Sequence, residues 1–282
     1  MSSFVRENIK GQRMNESVRH TDVWLWLTFP ISILLTIAAG CGVIISDLYR
    51  DAPYFVAQAV GQDLISLGVV LPTLIVSAIL ANRGSRRARL VWLGGLVYLV
   101  YSYAISSFAV RFNSIFLVYV ALLGCSLYAL IGGLVTLDTA GIRACFTDRA
   151  PVKAVSIYLA VLAGLFYFLW LSEIIPALLA GKIPQSIQDN GTPTNPVHVL
   201  DMAWILPAFG ITAVSLWRKQ AWGYTLAGAI LSYAVLLTLA ILSMVVFMIR
   251  QNQPIVVPQV VIFAALFAIS LGMLIWYIKD LK

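Results

Sequence analysis

Apolar runs of about twenty residues recur eight times along this 282-residue chain. Each is long enough to cross a hydrocarbon core of about 30 Å as an α-helix rising 1.5 Å per residue. The runs are continuous, without the every-second-residue alternation of a transmembrane barrel strand. They fall at approximately 23–45, 62–81, 90–110, 114–137, 154–180, 197–216, 223–249 and 256–278. Only 11% of residues are charged, against about 25% in a soluble domain, so a water-soluble globule is excluded. The fold class expected is all-α: a polytopic membrane helix bundle of eight spans. Residues 1–22 form an amphipathic tail, and 23–282 form one membrane domain.

The basic residues test that assignment. Sorting the connecting segments alternately to two sides puts 15 of the 19 Lys and Arg on one side. The other side holds Arg50, Arg111, Lys182 and Arg250, one per loop. The positive-inside bias then places both termini in the cytoplasm. A missed or invented span would scramble the alternation. The net charge of +7 is therefore a topology signal and not a nucleic-acid footprint, which would need a basic face on a soluble domain. The lipid bilayer is the one partner the sequence names. Short loops and no extramembrane domain favour a prokaryotic cytoplasmic membrane, where the sequon at Asn190 is chance.

Cys41, Cys125 and Cys145 are too few and too scattered for a disulfide framework or a zinc site. They read as packing residues; the box Ala38-Ala39-Gly40-Cys41 also resembles a lipoprotein cleavage site, with Ala where Leu is usual. The first run is longer than the apolar stretch of a signal peptide, about 7–15 residues, and is taken as a retained helix. Between spans, Ser46 to Gly61 reads as an amphipathic piece at the interface, and Gly181 to Pro196 as a flexible loop.

Spans two and six share an order of features. Asp63 precedes Val70-Leu71-Pro72, a basic turn and the Gly94-Gly95 helix; Asp201 precedes Ile205-Leu206-Pro207, Arg218-Lys219 and a helix bearing Gly223 and Gly228. Halves 23–137 and 154–282, four spans each, would then be a parallel repeat about an axis along the membrane normal. Topology alone also yields an acid at an outer helix start and a basic inner end. Pro72 and Pro207 are expected to kink their helices.

A charge inside the bilayer costs about 2.5–3.5 kcal/mol even on insertion scales, so each interior ionisable group needs a reason. Asp63, Glu173, His198 and Asp201 all fall toward the outer leaflet. Asp63 and Asp201 sit in first helical turns, where the macrodipole favours an anion, and Asn195-Pro196 is a good helix start. Glu173 is different: it lies near the outward C-terminal end of span five, where the dipole repels it. It requires a cation, a proton or a wet cavity, and Arg111 is the natural counter-charge. His198 and Asp201 are three apart and share a helix face, as a proton relay or cation site would require. A polar stripe Tyr98, Ser102, Ser106 on span three lines either a cavity or a helix interface; Trp170 and Trp204 are placed with it as cavity-lining residues.

No HExxH, GxSxG or Walker A sequence is present. The two histidines, one of them His20 in the tail, leave no bis-histidine haem pair within the spans, so no catalytic residue, cofactor or metal is expected. The sequence points to a small transporter with an outward polar site made by Glu173, His198, Asp201, Asp63 and Arg111, for a cationic or protonatable solute or protons. Two other classes remain open: an intramembrane lipid-modifying enzyme using the same carboxylates, and a sensor or partner subunit of a membrane complex. Substrate and protein partners are not encoded in any motif.

Overall fold

The computed structural model describes residues 23–281, so the expected tail over 1–22 lies outside the described residues. Eight helices long and apolar enough to span a membrane are present: α1 Val23–Ile44, α2 Pro53–Asn82, α3 Arg86–Phe108, α4 Phe116–Val135, α5 Val152–Leu179, α6 Pro196–Trp217, α7 Ala221–Arg250 and α8 Val257–Lys279. Two short helices, Thr139–Ala144 and Gln185–Asn190, sit at opposite ends of the bundle. No strand occurs among the described residues, apart from an isolated bridge between Phe146 and Leu281. The chain is an all-helical multi-pass membrane protein.

Two boundaries differ from those expected. α2 begins at Pro53, and the segment expected at the interface is its first turns. Packing explains the extension: Phe55, Ala57 and Gly61 are buried, and a Cβ at Gly61 would stand 2.6 Å from the Met244 Cα of α7. The Gly181 to Pro196 loop is partly helical. Gln185–Asn190 ends on Gly191 in the left-handed region at φ 66°, a conformation glycine adopts without Cβ strain.

α3 and α7 form the centre. Of the α3 span 72% is buried, against 22% for α8, which therefore faces lipid. Their crossing is close because Gly94 has no side chain: a Cβ there would stand 2.5 Å from the Ala229 carbonyl oxygen. α2 and α4 pack on α3, and α1 packs on α2 and α4; α2, α6 and α8 pack on α7, and α5 packs on α6. Trp92 in α3 donates to Thr28 Oγ1 of α1 at 2.9 Å.

The helices that carry Pro72 and Pro207 share one irregularity. Ser66–Val70 in α2 and Asp201–Ile205 in α6 are π-helical turns. In each, the residue before proline bonds five residues back, Leu71 N–H to Ser66 O and Leu206 N–H to Asp201 O. Proline has no N–H for the residue four before it and its ring presses on that carbonyl, so a wider turn relieves the clash. While the starts of α2 and α6 and the ends of α3 and α7 do not keep that spacing, several features recur 135 residues apart: Ser66 and Asp201, Pro72 and Pro207, Ile44 and Leu179 at helix ends, Arg86 and Ala221 at helix starts. The turns into α3 and α7 keep it too, with positive φ at Gly84 (92°) and Lys219 (54°). At that spacing Ser66 aligns with Asp201 and Asp63 with His198, whereas the order of features aligns Asp63 with Asp201.

Candidate functional site

A cavity of about 510 Å³ runs between α2, α3, α5, α6, α7 and α8. Along α5 its lining extends from Glu173 to Tyr158, about 22 Å at 1.5 Å per residue. It starts at the bundle end away from the basic loops.

Asp201 sits in its wall because the π turn of α6 begins at that residue. Tyr101 Oη of α3 donates to Oδ1 at 3.0 Å, and Trp170 Nε1 of α5 donates to Oδ2 at 2.9 Å. Two donors on one carboxylate satisfy a buried anion, and bonds to a charged acceptor are stronger than neutral ones. Tyr233 of α7 packs edge-on against Tyr101 at 5.8 Å between ring centres. Tyr233 lines the cavity, and its hydroxyl is buried and bonds to no described residue.

Trp170 also stacks on His198, with centroids 4.6 Å apart. His198 Nε2 lies 3.6 Å from Glu173 Oε2 and 3.3 Å from Asn195 Nδ2. One nitrogen thus faces an anion and an amide donor. Unprotonated, it accepts from Asn195; protonated, it turns its N–H to Glu173. Glu173 Oε1 accepts the Ser186 backbone N–H at 3.0 Å, and Asn195 Nδ2 donates to Ser186 Oγ at 3.1 Å. Asn195 also caps α6, its Oδ1 accepting from Val197 N–H at 3.0 Å. The helix start that the sequence offered for structure is therefore wired to Glu173 through the 185–190 helix.

Glu173, His198 and Asp201 are brought together, bridged by Trp170. Asp63 and Arg111 are not among them. Asp63 accepts from Tyr49 Oη at 2.5 Å, in a separate cluster with Tyr119 and Asn113. Burial, and then the Asp63 charge, push the Tyr49 phenol well above its usual value, so Tyr49 keeps its proton and donates. Arg111 meets Asp51, whose Oδ1 accepts the Arg111 backbone N–H at 3.0 Å. Burial raises the Asp51 carboxyl, opposed by that N–H and the Arg111 charge. The expected Arg111 to Glu173 pairing is replaced by the Ser186 N–H and His198, because the docked 185–190 helix reaches Glu173 first.

Of the stripe on α3, Ser106 lines the cavity. Tyr98 and Ser102 are wholly buried, and Tyr98 pairs with Ser66 Oγ at 3.1 Å. Trp204 packs against the core and does not line the cavity, whereas Trp170 does. Sequence reasoning did not single out Tyr233 or Ser186 as site residues. The 135-residue register gives a signal for Tyr233, since it matches Tyr98; nothing local marks Ser186.

The lining holds three acids, Glu173, Asp189 and Asp201, and no Lys, Arg or His among the described residues. No group of three His, Cys, Asp or Glu able to hold a metal ion occurs among those residues. Compared with known proteins, the chain matches no protein-family profile, and no curated protein or solved structure is significantly similar to it.

Proposed function

We propose that the protein is a small transporter of the prokaryotic cytoplasmic membrane, with a site for a cationic or protonatable solute in the cavity between α5, α6 and α7. The observation that carries this reading is the sign of the lining: three acids and no basic residue in a chain of net charge +7. A cavity of about 510 Å³ falls within the roughly 300–1,000 Å³ of small-molecule sites. The division of 15 basic residues against 4 supports cytoplasmic termini, so the cavity mouth faces outward.

The features that recur 135 residues apart support the parallel four-plus-four repeat, a layout of known transporters in which one half rocks against the other. The halves differ where such motion would show. In the first, α1 and α4 close on each other, and a Cβ at Gly132 would overlap the Trp24 indole. In the second, α5 and α8 touch sparingly and the cavity lies between them. π turns beside prolines are frequent at functional sites and supply hinges.

Proteoliposomes on a solid support, exposed rapidly to a panel of organic amines and to a pH step, test the reading. Wild type is expected to give charge movement that Asp201→Asn removes. No charge movement from wild type, or identical signals from both proteins, would contradict it.

A further inference from the structure

Around the acids the lining is largely aromatic and aliphatic: Tyr101, Phe166, Trp170, Phe209, Tyr233 and Phe263 ring the middle of the cavity. An inorganic cation needs several converging oxygens, about six to eight for calcium; the three acids of the lining form no such group among the described residues, and beside the rings the carboxylate is Asp201, whose oxygens already accept two donors. Aromatic faces attract organic cations within about 6 Å, more strongly where water is excluded. The seam between α5 and α8 is bridged at two levels, by Tyr158 Oη and Ser270 Oγ at 2.6 Å and by the Phe166 and Phe263 rings at 6.3 Å. α5 and α8 carry the lowest buried shares of the eight spans, 28% and 22%. The walls of the seam therefore face lipid on one side and the cavity on the other.

We infer that the ligand is an amphiphilic organic cation, its charge beside Asp201 and its apolar groups among the rings, and that it enters from the bilayer between α5 and α8. This rests on the reading of the cavity as a cation site. Tetraphenylphosphonium and tetraphenylborate, alike in size and opposite in charge, separate the claims, with tetramethylammonium as the small hydrophilic cation. In nanodiscs holding purified protein, tetraphenylphosphonium is expected to bind saturably, at least tenfold tighter than either other ion. Asp201→Asn should weaken it about tenfold or more. Trp170→Phe, which keeps an aromatic ring and loses the N–H, serves as a second variant should Asp201→Asn fail to fold, and is expected to weaken it severalfold.

Equal binding of the two large ions, or binding indifferent to both substitutions, overturns the inference. Tetramethylammonium bound as tightly as the large cation and dependent on Asp201 would sink the amphiphile while leaving the cation site standing. No cation dependent on Asp201 would sink both. For the portal, Phe166→Cys combined with Phe263→Cys should, once oxidised, slow tetraphenylphosphonium entry at least fivefold relative to the same protein reduced, a redox-dependent slowing that neither single variant shows against its own reduced form. An unchanged entry rate in the oxidised pair overturns the lateral route.

Discussion

Asp201 stands where three helices meet, and its two hydrogen bonds make its energetics separable. Trp170→Phe deletes one donor to a buried carboxylate and keeps most of the ring volume. It is expected to lower stability by about 1.5–3 kcal/mol, the range for a hydrogen bond to a charged group, measured as a drop in thermal midpoint. Glu173 has 29% of its side chain exposed. Glu173→Gln retains an oxygen for the Ser186 N–H and loses the charge facing His198. Exposed ion pairs contribute about 0–1 kcal/mol, so its thermal midpoint should stay near wild type while charge movement changes; a large loss of stability would instead make Glu173 structural. The sequence made Glu173 conspicuous because an anion at a helix C-terminus in an apolar run needs compensation. It did not reveal the compensation, since a backbone N–H within a polar loop leaves no mark in residue type. The same blindness produced the Arg111 pairing: charge sign was legible, but the route of the loop that decides which charges meet was not.

Among elements, the spans were legible because bilayer thickness fixes their length and apolar content. The start of α2 was not, because Pro53 to Gln62 mixes polar and apolar residues and is held in helix by tertiary packing on α7. Gly61 and Gly94 lie where α2 and α3 approach that helix closely. A methyl at either forces backbone apart, and overpacking of a tight contact costs roughly 1–3 kcal/mol. Gly61→Ala and Gly94→Ala are expected to lower the thermal midpoint, whereas Gly124→Ala, at a position with open space around it, should not. Equal effects at all three would contradict the crossing. The prolines predicted a disturbance in α2 and α6; that each is absorbed by a π turn five residues long follows from hydrogen-bond geometry, which a sequence pattern does not specify.

At the scale of the molecule, the first four spans and the last four differ in whether their outer helices close on each other. The first half buries Ser66 against Tyr98, where the second places Asp201 beside a cavity. Closure of the floor is equally concrete. Phe146 packs against Tyr224 and Tyr277 at 5.1 and 4.8 Å, Tyr277 Oη donates to the Tyr224 carbonyl at 2.8 Å, and Arg87 Nε holds the Leu281 carbonyl at 2.6 Å. If this plug separates the cavity from the basic side, Phe146→Ala should admit impermeant thiol reagents from that side to cavity positions that wild type shields. The most direct test of the central claim, a wet acidic chamber opening opposite the basic loops, is the labelling of Ser106→Cys in a chain whose Cys41, Cys125 and Cys145 are replaced by serine. The account predicts rapid reaction with a membrane-impermeant maleimide added outside intact cells, and slow reaction when the reagent meets only the cytoplasmic face. Reaction from the cytoplasmic face alone, or no reaction from either, would contradict it.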